Sequence, residues 1–215
     1  YHTDGPAPDR GLTRIAQMVT RLRRAADIAV LLDNGDFLQG SPLGDAAAAG
    51  ALDDLGAHPM IAAMNALGYD AAALGNHEFS HGLPFLLQSL AQARFPLLSA
   101  TILTQRGATL AQDQHLFPPS LLLERSTPGG DKLTLGLIGL TPVQTLNWEA
   151  DHLDRPLFTR DMAQSAAHQA DLLRQRGADL VIALCHSGIT FAGEPTAQET
   201  TANQIAALPG IDAVI

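Results

Sequence analysis

Ile28-Ala29-Val30-Leu31-Leu32 runs straight into Asp33-Asn34-Gly35-Asp36. A short unbroken apolar run rich in aliphatic side chains suits a strand buried on both faces. The polar tetrapeptide behind it suits a turn. The same join recurs twice. Ala71-Ala72-Ala73-Leu74 leads into Gly75-Asn76-His77-Glu78, and the apolar run over 180–185, within a strand expected over 179–185, leads into His186-Ser187-Gly188. Further strands are expected over 96–99 and at the end of the chain over 212–215.

Between these strands lie helical patterns. Leu12, Ile15, Ala16, Val19 and Leu22 fall at helical spacing. A second helix is expected from Pro59 to Leu67, ended by Gly68. A third carries Leu83, Leu86, Leu87 and Leu90, with Pro84 in its first turn. Residues 161–176, closed by Gly177, and 200–208 complete the set. Leu121-Leu122-Leu123 and the run over 133–140 flank Pro128-Gly129-Gly130-Asp131 and read as a hairpin. Residues 104–119 read as loop. Alternating strands and helices predict an α/β fold with a largely parallel sheet, in which the Leu and Ala stripes are core.

Composition narrows the function. With 215 residues, 46% hydrophobic and 16% charged, the chain can bury a core, which excludes intrinsic disorder. Lys and Arg total 13 against 22 Asp and Glu, a net charge of -9. Such a surface argues against a nucleic-acid polymer or an anionic membrane as partner. Phosphorylated small molecules stay open, because a metal reverses the local field. Cys185 is the one cysteine, so an intrachain disulfide and a Cys-based zinc cluster are both excluded. No apolar run reaches the 18 or so residues of a membrane span.

The polar clusters carry the chemistry. In an open parallel sheet the carboxyl ends of the strands share one edge, where ligands bind. Asp36, Asn76 and His186 can therefore converge although they are far apart in sequence. A bridging carboxylate, an amide oxygen and an imidazole form a mixed O/N donor set that suits Zn, Mn or Fe better than Mg or Ca. Pairs of such ions are a recurring device for phosphoryl displacement. Taken singly, each residue has an ordinary reading: Asp36 a turn or cap, Asn76 a left-handed turn residue, His186 a satisfied histidine. Their coincidence at successive strand ends, each beside a glycine, favours ligation. His58, His115, His152 and His168 read as surface or packing residues. His81 could line the same cleft as His77, and Cys185 reads as a small buried apolar residue.

Gly35-Asp36-Phe37-Leu38-Gln39-Gly40, Gly75-Asn76-His77-Glu78-Phe79 and His186-Ser187-Gly188 together resemble the calcineurin-like metallophosphoesterases, in their 5′-nucleotidase-like group. Ser41-Pro42-Leu43-Gly44-Asp45, His58-Pro59, Ala63-Met64-Asn65 and the stretch from Pro142 through Trp148 to Arg176 resemble the bacterial 2′,3′-cyclic-nucleotide 2′-phosphodiesterase/3′-nucleotidase branch. The resemblance implies a layered α/β/β/α sandwich and a centre of two divalent metal ions. It implies Asp36 as the carboxylate bridging both ions and Asn76 and His186 as ligands of the second. His77 is implied as the non-ligand histidine at the phosphate and the leaving oxygen, and Glu78 reads as structural.

Three departures accompany it. The family's opening Asp-x-His and closing Gly-His-x-His are absent from residues 1–215, so about half the metal shell is present. The expectation is an incomplete metal-binding domain, inactive alone, cut from a longer polypeptide and lacking the C-terminal nucleotide-binding domain. Ser80 stands where 5′-nucleotidases carry an Asp three residues after the catalytic histidine, which favours the cyclic-phosphodiesterase branch. The implied protein is a periplasmic, cell-wall or secreted hydrolase of 2′,3′-cyclic or 3′-nucleotides. The alternatives are a 5′-nucleotidase or nucleotide-sugar hydrolase, and a non-catalytic binding module on the same fold.

Overall fold

The structure, a computed structural model, describes residues 11–52, 54, 56–191 and 200–215. In chain order its first half contains α1 (Leu12–Ala25), β1 (Leu32–Asp33), α2 (Pro42–Ala48), α3 (Pro59–Leu67), β2 (Ala71–Ala73), α4 (Leu83–Leu90), β3 (Leu97–Leu98) and β4 (Ile102–Gln105). The second half contains β5 (Gln114–His115), β6 (Ser120–Ser126), β7 (Lys132–Leu140), α5 (Thr145–Trp148), β8 (Phe158–Thr159), α6 (Met162–Gln175), β9 (Leu180–Cys185), α7 (Ala202–Ala206) and β10 (Ala213–Val214).

Strands β1, β2 and β3 form one parallel sheet in that order. The second sheet runs β10-β9-β7-β6 and is parallel except for the β6–β7 hairpin. Apolar side chains fill three layers around these sheets. Ala71, Leu98, Leu135 and Leu137 lie between the two sheets, with Val30, Leu121 and Ile182 packed against them. Ala72, Leu74 and Leu97 point the other way, onto Ile61 and Met64 of α3 and Leu86 and Leu90 of α4. Ile138, Leu140, Val181 and Ala183 point outward from the second sheet onto Ala166, Ala170 and Leu173 of α6 and Ile205 of α7. The alternation along β2, β7 and β9 is the two-residue period of a strand, and it yields the α/β/β/α layering. Glycine sets the spacing: a Cβ at Gly139 would sit 2.3 Å from the Leu98 carbonyl oxygen.

Most elements follow the sequence reading. α3 starts at Pro59 behind a His58 cap and stops at Gly68, whose φ of 67° is left-handed. α6 is capped by the Asp161 side chain, which accepts from the Gln164 N–H. The hairpin turns where Pro128-Gly129-Gly130-Asp131 predicts it.

Three differences stand out. The apolar run over 28–32 contributes only Leu32–Asp33 as ladder, at the edge of a sheet where, among the described residues, β2 is its one partner. Residues 104–119 are not loop throughout: β4, β5 and β8 form a small antiparallel sheet in the order β5-β4-β8. Arg160 holds it, its guanidinium donating to both Asp113 carboxylate oxygens and to the Gly107 carbonyl. The stripe on α1 is not core. No α1 residue is buried, and Ile15, Met18 and Leu22 are about half exposed, with Arg23 tying the helix to the carbonyls of Leu67 and Gly68.

Candidate metal centre

Asp36 follows β1 on a loop that few side chains could adopt. Its φ of 65° is left-handed, and among the described residues it is the one non-glycine with a positive φ. Asp tolerates this region better than most residues, and such strain concentrates at functional sites. Glu78 enforces the conformation. One carboxylate oxygen accepts from the N–H groups of Asp36 (2.7 Å) and Gly75 (2.6 Å). The other accepts from Phe37 (2.7 Å) and Leu38 (3.2 Å). Glu78 is 1% exposed, so one buried side chain stitches the loop after β1 to the loop after β2. Burial pushes its carboxyl above the ordinary range, and the backbone N–H groups only partly pull it back.

His186, at the end of β9, meets this loop. Its Nε2 lies 3.1 Å from Asp36 Oδ2. Its Nδ1 donates to the Asn34 carbonyl oxygen at 2.6 Å. That second bond fixes the ring and its tautomer, leaving Nε2 to face Asp36, which is how a metal-ligating imidazole is usually held. The contact with Asp36 raises the His186 pKa against the opposing effect of burial. Burial alone would raise the Asp36 carboxyl, but the His186 bond, the His77 N–H and the two imidazole charges outweigh it and hold it below its ordinary value. Gly75 lets the partners meet: a Cβ there would lie 2.2 Å from Asp36 Oδ1 and 2.7 Å from His186 Cε1.

Asp36 and His186 are thus in direct contact. His77 joins them through its N–H, which donates to Asp36 Oδ1 at 3.0 Å, while its ring is exposed. Asn76 sits between Gly75 and His77, half-buried, with φ -78° and no capping bond to the short turn over His77–Phe79. It is not a left-handed turn residue. Asp36, His186 and the Asn76 amide offer the oxygen and nitrogen donors that a divalent transition metal takes. Among the described residues no group of three or more His, Cys, Asp or Glu converges as a metal cluster.

His58 and His81 lie away from this contact. They flank the Phe85 ring edge-on, at centroid distances of 6.0 and 5.2 Å. Cys185 is buried, with its thiol pushed up to about 12 by burial, which makes it a packing residue.

Two features were not expected from the sequence. Asn34 donates its amide to the Cys185 carbonyl (3.0 Å) while its own carbonyl holds His186, so it clamps β9 to β1. A buried hydroxyl network joins the sheets behind the site. Thr141 Oγ1 donates to the Leu74 carbonyl (2.9 Å) and contacts Ser99 Oγ (2.9 Å), and Thr101 Oγ1 donates to the Thr141 carbonyl (2.7 Å).

Comparison with known proteins agrees with this fold. The chain is 36% identical over its whole length to a 2′,3′-cyclic-nucleotide 2′-phosphodiesterase/3′-nucleotidase of Yersinia enterocolitica, of which it covers 33%. It is 35% identical to a human 5′-nucleotidase over 83% of its own length and 28% of the relative's. It superposes on the crystal structure of the calcineurin-like phosphoesterase YfkN from Bacillus subtilis with a TM-score of 0.85 and 34% identity, covering 99% of this chain and 64% of that one. The chain spans about a third of the length of the curated 2′,3′-cyclic-nucleotide 2′-phosphodiesterase/3′-nucleotidases it matches. No helix among the described residues is long and apolar enough to cross a membrane. The family model for calcineurin-like phosphoesterases matches residues 2–215, and the chain belongs to that family.

Proposed function

We propose that these residues form the metal-binding part of a nucleotide phosphoesterase that opens 2′,3′-cyclic nucleotides and then releases phosphate from the 3′-nucleotide. The reading rests above all on the approach of His186 Nε2 to Asp36 Oδ2, with His186 Nδ1 tied to a backbone carbonyl. Calcineurin-like phosphoesterases generally use a dinuclear metal centre. Bound there, divalent ions would neutralise phosphate oxygens and act as Lewis acids. In this reading Asp36, Asn76 and His186 are ligands. The exposed imidazole of His77 contacts the phosphate and donates a hydrogen bond or proton to the departing ribose oxygen. Zn, Mn and Fe suit the mixed donors. The nucleobase falls to a second domain outside residues 1–215, and the resemblance implies export to the periplasm or cell wall.

A 5′-nucleotidase is the second reading, favoured by the human relative. Ser80 in place of a carboxylate beside His77 weighs against it. The test uses the polypeptide translated from the complete reading frame, with 2′,3′-cyclic AMP and 5′-AMP as competing substrates. The expected result is turnover of the cyclic nucleotide, reduced about 100-fold by His77→Ala. Preference for 5′-AMP would favour the second reading. Undiminished turnover in the His77→Ala protein would refute the role given to His77.

A further inference from the structure

Ser80 does not leave His77 without a carboxylate. His77 Nδ1 lies 3.3 Å from Ser80 Oγ, and Ser80 Oγ donates to Glu149 Oε1 at 3.1 Å. Glu149 lies 69 residues further along, just past α5, and is 8% exposed. Its segment is seated firmly. The Glu149 N–H donates to the Thr145 carbonyl, and the turn over Ala150–His152 packs so closely on the Ser80 loop that a Cβ at Gly82 would sit 2.8 Å from the His152 carbonyl oxygen.

The direction of these bonds follows from counting protons. A serine hydroxyl carries one hydrogen. Ser80 gives it to the Glu149 carboxylate, so toward His77 the oxygen has only lone pairs to offer. His77 Nδ1 must then be the donor, and in the neutral ring Nε2 is the bare nitrogen.

We propose that Glu149, acting through Ser80, is a positioning residue that holds His77 in its Nδ1–H tautomer with Nε2 turned toward the substrate. The inference rests on the role given to His77 above. With Nδ1 held by Ser80, Nε2 is the ring nitrogen left to face the leaving oxygen. The hydroxyl extends the reach of the carboxylate by one bond, so the imidazole is oriented without a charge placed directly against it. This is a wider arrangement than an Asp three residues after the histidine would allow.

The first test needs no turnover. Long-range proton–nitrogen NMR at pH 8.5, above the ordinary imidazole range, reports the His77 tautomer in this chain. The expected result is Nδ1–H in the wild type and a shift to Nε2–H in both Ser80→Ala and Glu149→Ala. A Ser80→Asp, Glu149→Gln double variant is expected to restore Nδ1–H through a direct carboxylate. A wild-type ring already in the Nε2–H form, or a tautomer unmoved in both single variants, would overturn the proposal.

The second test uses the complete reading frame. Glu149→Ala is expected to lower the ratio of kcat on 2′,3′-cyclic AMP to kcat on bis(p-nitrophenyl) phosphate about 10-fold, because only the ribose alkoxide needs a proton. Loss on His77→Ala with no change of ratio on Glu149→Ala overturns this inference alone. No loss on His77→Ala overturns the functional reading beneath it.

Discussion

Replacing Glu78 by Gln is expected to lower the melting temperature by roughly 10 °C, followed by circular dichroism. The two carboxylate oxygens of Glu78 accept from the N–H groups of Asp36, Gly75, Phe37 and Leu38. A Gln side chain has one oxygen and one NH2 group, and either orientation points the NH2 at N–H donors. Two buried backbone groups lose their acceptor and face a like dipole, at a cost of about 3 kcal/mol. In a chain of this size each kcal/mol moves the midpoint by about 2–4 °C. A shift under about 2 °C would show that Glu78 does not hold the two loops together.

Gly75→Ala is expected to remove activity more completely than it removes stability. The added methyl would overlap Asp36 Oδ1 at 2.2 Å and His186 Cε1 at 2.7 Å, where ordinary contact begins near 3.4 Å. Asp36 must move by more than 1 Å, and it cannot move freely because Glu78 and His77 hold its backbone and carboxylate. A displacement of that size at a reacting centre costs on the order of 100-fold in rate. Weakened metal binding adds to it, so kcat/KM in the complete protein should fall about 1000-fold, and the metal dissociation constant should rise with it. Retention of wild-type metal affinity in the Ala variant would mean that Asp36 and His186 do not meet at a metal.

The parts of the site that were legible in the sequence were those carried by side chains at strand ends. Asp36 and His186 stood out because a ligand-type residue followed each apolar run, and the structure brings these two side chains into contact from strands of two different sheets. Hydrogen bonds made by the backbone left no such mark. The Asn34 carbonyl that orients His186 belongs to a residue whose side chain signals only a turn. Glu149 was invisible for another reason: nothing local ties it to Ser80, and only the packing of α5 beside the Ser80 loop brings them together. The small antiparallel sheet was missed because β5 and β8 are two residues long, too short to show alternation. The stripe on α1 has the right period for a core helix, yet periodicity states which face is apolar and not whether the described residues cover it.

Ser80 stands where 5′-nucleotidases carry an Asp three residues after the histidine, and in the sequence it served to separate the two branches. The structure shows the hydroxyl passing the contact on to Glu149. A motif defined by neighbours in sequence cannot register a carboxylate delivered from a distant turn.

The metal content of the polypeptide from the complete reading frame tests the central claim most directly. Protein purified after loading with Zn or Mn would be analysed by elemental mass spectrometry, wild type beside Asp36→Asn and His186→Ala. The account predicts two ions per molecule in the wild type and fewer in both variants, with the larger loss in Asp36→Asn because that carboxylate is read as bridging both ions. Two ions retained in Asp36→Asn, or none bound by the wild type, would contradict it.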